Sequence, residues 1–212
     1  PALRAKLVPD YPIGATRVLF NDGYYPALSR PNVELVTDSI ERIEPAGVRS
    51  RTGELHAADV IIYATGFKST DFLAPMQITG RGGLDLKLEW SKGARAYLGV
   101  TVTGFPNFFM LYGPNTNLGH NSILVMIEAQ VGYVLDALAK MKTRGVKRIE
   151  VRRDVLEDYN RSLQQDLARS VWAATGASWY KLADGTITNN WPHSTIRYQR
   201  LLREAKLEDY DS

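Results

Sequence analysis

The sequence predicts an α/β fold, and this prediction depends on two strand signals and one helix signal. Residues 59–64 and 107–112 are nearly continuous apolar runs, which is typical of strands buried on both faces of a layered sheet. Between Ile123 and Met141, apolar residues recur at steps of three and four, which indicates a long amphipathic helix. The chain has 212 residues, 44% hydrophobic and 23% charged, as expected of a folded globular protein.

Short strands and turns dominate the first part of the chain. Residues 33–36, 39–43 and 48–50 are short β-prone runs, and turn residues occupy 45–47 and 51–54. Runs of this length joined by tight turns predict a small antiparallel meander. The glycine-rich stretch from residue 67 to residue 105 is expected to be mostly irregular, with short strands near 96–102.

Helices are predicted for most of the second half. Ser122 is a suitable N-cap for the first of them, and Gly145 is a suitable stop. Three further elements are expected to follow, with a loose acidic tail after them: a strand at 148–151, a helix over 155–171, a helix from about 194 to about 205, and the tail at 208–211.

Composition and charge exclude several classes of protein. The chain lacks cysteine, so disulfide scaffolds, thiolate nucleophiles and cysteine-based metal sites are ruled out. Its 26 basic residues are balanced by 23 acidic ones and are mixed with them along the chain, which argues against nucleic-acid binding. The longest apolar run, 123–127, is too short for a membrane span. We therefore expect a cytoplasmic protein that binds neither nucleic acid nor membrane.

Common catalytic motifs are missing from the sequence. The glycines at 80, 82 and 83 do not have the spacing of a dinucleotide fingerprint. His56, His120 and His193 stand far apart, so no metal site is predicted. The segment 113–122 connects a predicted strand to a helix, where free N–H groups and the helix dipole favour an electron-rich ligand. An ordinary loop with a good helix cap explains this segment equally well.

An ordered set of motifs along the chain resembles flavin-containing monooxygenases of the Baeyer–Villiger type. The set begins with Asp10–Arg17, Tyr24–Tyr25 and Arg30–Val33, and continues with Ala58–Phe67, Gly104–Asn107 and Gly113–Asn115. The later runs Ser178–Tyr180 and Asn190–Pro192 are similar to the branch related to hydroxyacetophenone monooxygenases. The resemblance covers essentially the whole chain.

The resemblance implies a fold with two nested dinucleotide-binding domains, one for FAD and one for NADPH. Both glycine fingerprints of that fold lie upstream of the matched region, so the chain is expected to be the C-terminal portion of a longer polypeptide. Residues 1–63 correspond to the tail of the NADPH-binding domain, and residues 64–212 to the C-terminal part of the FAD-binding domain. The expected architecture is parallel-sheet layers with a small antiparallel meander and C-terminal helices.

The same resemblance assigns roles to individual residues. Arg17 is the expected catalytic residue, because a permanent cation stabilises negative charge that develops on the flavin. Trp179 and Tyr180 are expected to line the substrate pocket. The expected cofactor-binding residues lie at two strand ends and at a helix start: Thr65, Gly66, Gly113, Pro114, Asn115, Asn121 and Ser122.

The implied activity is oxygen insertion into a small organic substrate. With FAD, NADPH and O2, the whole enzyme would oxidise a ketone, or a nitrogen or sulfur atom, through a C4a-peroxyflavin. The fragment alone is expected to be inactive, because it depends on the remainder of its polypeptide. The alternative is a non-catalytic folded module that binds a partner or a small ligand.

Overall fold

The computed structural model describes residues 2–119, 121–176 and 178–212. These residues form two units: one contains Pro1–Tyr11 and Leu19–Phe67, and the other contains Pro12–Val18 and Lys68–Ser212. We call them unit 1 and unit 2. Among the described residues, all buried apolar side chains belong to unit 2.

Unit 1 contains two short helices and the predicted meander. The helices are α1 (Ala2–Leu7) and α2 (Tyr24–Leu28), and the strands are β1 (Ile40–Glu44), β2 (Gly47–Ser50) and β3 (Leu55–Ala57). The three strands form an antiparallel sheet in the order β1-β2-β3. Gly47 is required at the first turn, because a Cβ there would lie 2.1 Å from the His56 carbonyl oxygen. The antiparallel meander is thus confirmed.

Unit 2 is built around one long helix. It contains α3 (Leu86–Glu89), α4 (Ile123–Arg144), β4 (Glu150–Val151), α5 (Arg153–Leu167), α6 (Thr195–Leu201) and β5 (Tyr210–Asp211). Both predicted caps of α4 are confirmed: the Ser122 hydroxyl accepts from the Leu124 N–H, and Gly145 has the left-handed conformation. Met126, Tyr133, Ala137 and Met141 place one face of α4 in the main core.

The acidic tail is ordered, against our expectation. β5 pairs antiparallel with β4, and Tyr210 is buried. The Tyr133 and Tyr210 hydroxyls lie 2.7 Å apart, and the Tyr97 hydroxyl donates to Asp209 at 2.7 Å. The acidic composition of the tail did not indicate this contact, in which the Asp209 carboxylate accepts a hydrogen bond from the half-buried Tyr97 phenol.

The two apolar runs predicted as buried strands do not pair in the described part of the chain. Residues 59–64 have no strand partner, and Val60 and Ile62 are 78% and 85% exposed. Residues 107–112 also remain outside the sheets, both of which are antiparallel. The α/β class and the C-terminal helices are confirmed. These two segments, however, belong to no sheet within the described residues.

Candidate functional site

The loop that follows residue 111 is fixed by a distant segment of unit 2. The Asn115 and Asn117 N–H groups donate to the carbonyls of Thr188 and Asn189 at 2.7 and 2.9 Å, and the Trp191 N–H donates to Asn117 at 2.9 Å. We call residues 112–119 the site loop. Because all three contacts are backbone hydrogen bonds, segment 188–191 sets the course of the site loop.

Glycine and asparagine meet specific backbone needs in the site loop. A Cβ on Gly113 would lie 2.3 Å from the Gly99 carbonyl oxygen, so the two chain segments touch through their backbones. Asn115 has a positive φ of 58° and is buried. Its side-chain amide donates to the Ile187 carbonyl at 2.8 Å and to the Asn190 carbonyl at 3.2 Å. Gly113 and Asn115 therefore stabilise the conformation of the site loop.

Tyr112, which the sequence analysis did not single out, begins the site loop in a strained conformation. Its φ is 57°, and the left-handed region costs a residue with a Cβ about 1–2 kcal/mol. Its N–H donates to the buried Gln130 Oε1 at 2.8 Å, and its hydroxyl donates to Asn117 Oδ1 at 3.0 Å. These hydrogen bonds hold the strained residue, and strain of this kind is often found at functional sites.

Arg17 approaches the site loop from the short segment 12–18. Its Nη2 donates to the Leu118 carbonyl at 3.3 Å, although the two residues are 101 positions apart. The segment is anchored by Ala15, which is fully buried. Burial raises the pKa of both Tyr112 and Tyr180, and the positive charge of Arg17 acts against this rise in both. Both phenols therefore remain neutral at physiological pH.

Three aromatic side chains of unit 2 pack together in segment 172–180. The Trp179 and Tyr180 rings lie 4.9 Å apart, and the Trp172 ring meets Tyr180 edge-on at 6.3 Å. Tyr180 is buried, whereas Trp179 is 46% exposed. The Trp179 carbonyl accepts from the Asn189 side chain at 3.2 Å and from the Ser69 hydroxyl. The structure thus brings Trp179 and Tyr180 into the same unit as the site loop and Arg17.

Asn121 and Ser122 cap helix α4. Asn121 Oδ1 accepts from the Ser122 N–H at 2.7 Å, and Ser122 Oγ accepts from the Leu124 N–H at 3.3 Å. Two of the N–H groups that we expected to face a ligand are therefore already engaged by side chains. Both side chains are exposed, and His120 lies outside the described residues.

Thr65 and Gly66 belong to unit 1 and are exposed. Gly66 has a φ of 83°, so glycine suits this position, but no atom lies within 4 Å of a Cβ built there. Pro114 is buried in unit 2 beside Gly113. The predicted cofactor-binding residues are therefore divided between the two units.

Metal-binding clusters and membrane-spanning helices are both absent from the part of the chain that the structure describes. There, no three His, Cys, Asp or Glu side chains gather as metal ligands would. Nor does any described helix combine the length and the apolar character that crossing a bilayer requires.

The site that emerges combines a cation, neutral phenols and an amide network. Asn117 Nδ2 donates to Asn190 Oδ1 at 2.8 Å, which joins Tyr112, Asn117 and Asn190 in one series of hydrogen bonds. Arg17 is exposed in this chain, and a guanidinium stabilises negative charge most strongly where water is excluded. Sequence reasoning missed Tyr112, Asn117, Gln130 and Asn190; the only available signal was the density of asparagine in 115–121 and 189–190.

Known proteins resemble this chain over its whole length. No family model matches it. A Baeyer–Villiger monooxygenase of Pseudomonas aeruginosa is 44% identical over 212 residues, and an FAD-binding monooxygenase of Aspergillus niger, ktnD, is 44% identical over 216 residues. Each alignment includes 99% of this chain, but only 40% and 35% of the respective relative.

Solved structures give the same result. Oxidised steroid monooxygenase bound to NADP matches with a TM-score of 0.83 and 34% identity, over 96% of this chain and 39% of the other. The OTEMO complex with FAD and NADP matches with a TM-score of 0.88 and 29% identity, over 100% of this chain and 41% of the other. The chain thus spans about two fifths of the length of the proteins it resembles.

Proposed function

On the premise that this chain is related over its whole length to Baeyer–Villiger monooxygenases, we propose that it is part of an FAD- and NADPH-dependent monooxygenase. The proposed reaction inserts one oxygen atom from O2 into a ketone, or adds it to a nitrogen or sulfur atom of a small organic substrate. The remainder of the polypeptide would supply the other cofactor-binding segments. The identity of 44% over 99% of the chain carries this proposal.

The residues around the site loop fit such cofactors. A flavin ring is planar and becomes negatively charged on reduction, and Arg17 offers a permanent cation beside aromatic side chains. The neutral phenols of Tyr112 and Tyr180 add no negative charge to oppose it. We propose that Gly113, Pro114, Asn115, Asn121 and Ser122 contact FAD in unit 2 and that Thr65 and Gly66 contact a cofactor from unit 1.

The domain assignment is also a proposal. Residues 1–63 would belong to an NADPH-binding domain, and residues 64–212 to an FAD-binding domain. The boundary of the two units at Phe67 and Lys68 supports this division, except that residues 12–18, which include Arg17, group with unit 2. The catalytic cation would then come from the first domain in sequence and act beside the second.

The protein's own residues would have three tasks. When bound, FAD reduced by NADPH supplies the electrons that activate O2. Arg17 holds negative charge in place through its fixed guanidinium. Trp179 and Tyr180 present apolar ring surface to a substrate and reduce the access of water, and the site loop positions these groups relative to Arg17.

Arg17→Ala in the intact polypeptide tests this proposal. We expect the variant to bind FAD with its usual visible absorbance and to lose at least about 100-fold in oxygenated product, the size of effect seen when one charge-stabilising donor is removed. Arg161→Ala is the matched control, because Arg161 is exposed on α5 and, among the described residues, forms an ion pair only with Asp158, at 2.7 Å. Product is measured by mass spectrometry alongside NADPH and O2 consumption.

Two results would contradict the proposal. If the wild-type polypeptide binds no flavin, the chain is a non-catalytic module that binds a partner or a small ligand. If flavin binds but Arg17→Ala forms product at the wild-type rate, Arg17 has no catalytic role.

A further inference from the structure

Asn117 is the most completely bonded polar residue of the site loop. Its N–H donates to Asn189 at 2.9 Å and its carbonyl accepts from Trp191 at 2.9 Å. Its side-chain Nδ2 donates to Asn190 at 2.8 Å and its Oδ1 accepts from Tyr112 at 3.0 Å. All four polar groups of one residue are thus engaged, by partners before and after it in the chain.

Two groups of the site loop connect Asn117 with Arg17: the Leu118 carbonyl and the Tyr112 hydroxyl. Leu118, whose carbonyl accepts from Arg17 Nη2 at 3.3 Å, is the next residue along the backbone. The positive charge of Arg17 opposes the rise that burial causes in the pKa of Tyr112, and the Tyr112 hydroxyl donates to Asn117 Oδ1 at 3.0 Å. Asn117 therefore reaches Arg17 by two routes, one through the backbone and one through a side chain.

Leu118 is held by its side chain and by its neighbours in the chain. The Leu118 side chain is fully buried in the main core, which fixes the position of the residue. Gly119, on its other side, is exposed and has no side chain to restrain the peptide between them. On the other side, the backbone hydrogen bonds of Asn117 to Asn189 and Trp191 fix the chain that leads into Leu118.

The amide network behind Asn117 is buried and has little freedom. Asn190 is 1% exposed. Its Oδ1 is taken by Asn117, and among the described residues its Nδ2 has no hydrogen-bond partner. A buried amide with an unused donor is costly to keep. The buried Asn190 Oδ1, which accepts from Asn117 Nδ2 at 2.8 Å, restrains the Asn117 side chain.

We propose that Asn117 is a positioning residue for Arg17, acting through the Leu118 carbonyl and the Tyr112 phenol. The inference rests on the proposed function, because it gives Arg17 its task in oxygenation. Asn117 itself contacts neither substrate nor cofactor in this account. Its effect is to keep the guanidinium in one place when negative charge develops beside it.

Asn117→Ala in the intact polypeptide is the first test. We expect oxygenated product to fall about 10- to 100-fold, the scale expected when a catalytic group is displaced by about 1 Å. FAD content and the KM for NADPH should stay within about twofold, because only Arg17 is misplaced. Asn160→Ala is the matched control: in the described part of the chain, the Asn160 side chain donates only to the Leu156 carbonyl of helix α5, at 2.9 Å. Tyr112→Phe removes one of the two routes and should lose less than Asn117→Ala.

A double-mutant cycle separates positioning from a general structural role. If Asn117 acts through Arg17, then Asn117→Ala should cause no further loss of product in the Arg17→Ala background. An equal loss in both backgrounds would overturn the inference, and so would full activity of Asn117→Ala in the presence of Arg17.

The position of Arg17 is also measured without any turnover. The Arg17 Nε–H resonance, identified by its disappearance in Arg17→Lys, should be distinct in the wild type and in Asn160→Ala. In Asn117→Ala it should move to the shift of a freely rotating arginine. An unchanged resonance there would refute the inference, even if the wild type proved to have no oxygenase activity and the proposed function had failed.

Discussion

Unit 1 and unit 2 have similar local sequence signals but different interiors. In unit 1, the apolar side chains of Phe20, Val60, Ile62 and Phe67 are at least 78% exposed. In unit 2, Val100, Leu118, Met126 and Tyr198 are fully buried. The difference shows that an apolar run favours burial of a segment but does not produce it. Burial also requires other elements that pack over the segment.

The largest expected effect concerns the interior of unit 2. Trp191→Ala removes a ring that is 2% exposed and meets Tyr198 edge-on at 5.1 Å. We expect a loss of about 3–5 kcal/mol in the free energy of unfolding. The matched change in unit 1, Ile62→Ala, should alter it by about 0.5 kcal/mol or less. Urea unfolding followed by circular dichroism measures both, and equal losses would erase the contrast between the units.

A smaller effect is expected from the buried hydroxyl pair. Tyr133→Phe leaves the Tyr210 hydroxyl with Thr101 Oγ1 at 3.3 Å as its remaining close partner. The expected cost is about 1–3 kcal/mol. Tyr24→Phe, at a residue 58% exposed in unit 1, is the control and should change stability by about 0.5 kcal/mol or less. Tryptophan fluorescence reports this unfolding in unit 2, where all four tryptophans lie. A neutral Tyr133→Phe would show that the pair adds nothing.

The smallest effect belongs to the surface of unit 1. Hydrogen bonding from Arg49 lowers the pKa of Glu44 from 4.5 to about 2. A depressed carboxyl pKa contributes stability that is present above the unfolded-state pKa and is lost as pH falls from about 4.5 towards 2. We expect amide exchange in β1 and β2 to quicken over this pH range, after correction for intrinsic exchange. Glu44→Gln should remove that pH dependence, and a persistent one would assign it to another group.

Sequence periodicity predicted the two long helices, α4 and α5, because their signals are local, whereas it did not predict the short helices α1, α2 and α3. The caps Ser122 and Gly145 lie next to the residues they serve, and the recurrence of apolar residues marks the buried face of α4. The same reasoning extended the helix now called α5 to Val171, whereas it ends at Leu167. The three residues that follow form turns with no strong stop signal in the sequence.

The candidate site was less predictable because its contacts are distant in sequence. Asn117 and Asn190 are 73 positions apart, and Arg17 and Leu118 are 101 apart. No local pattern indicates that two loops will pair through their backbones. The resemblance to known enzymes named Arg17, but only the three-dimensional arrangement connected Arg17 to Tyr112 and Asn117.

The ordered tail has a consequence for synthesis of the protein. Tyr97 donates to Asp209, which is synthesised 112 residues later, and Tyr133 contacts Tyr210, which is synthesised 77 residues later. A ribosome releases Asp209 and Tyr210 after the core segments that they contact, so the nascent chain carries these phenols without their partners, and β4 without β5, until translation has passed residue 211. Contacts of such long separation slow folding, and the emerging segment is a natural client for chaperones during that interval.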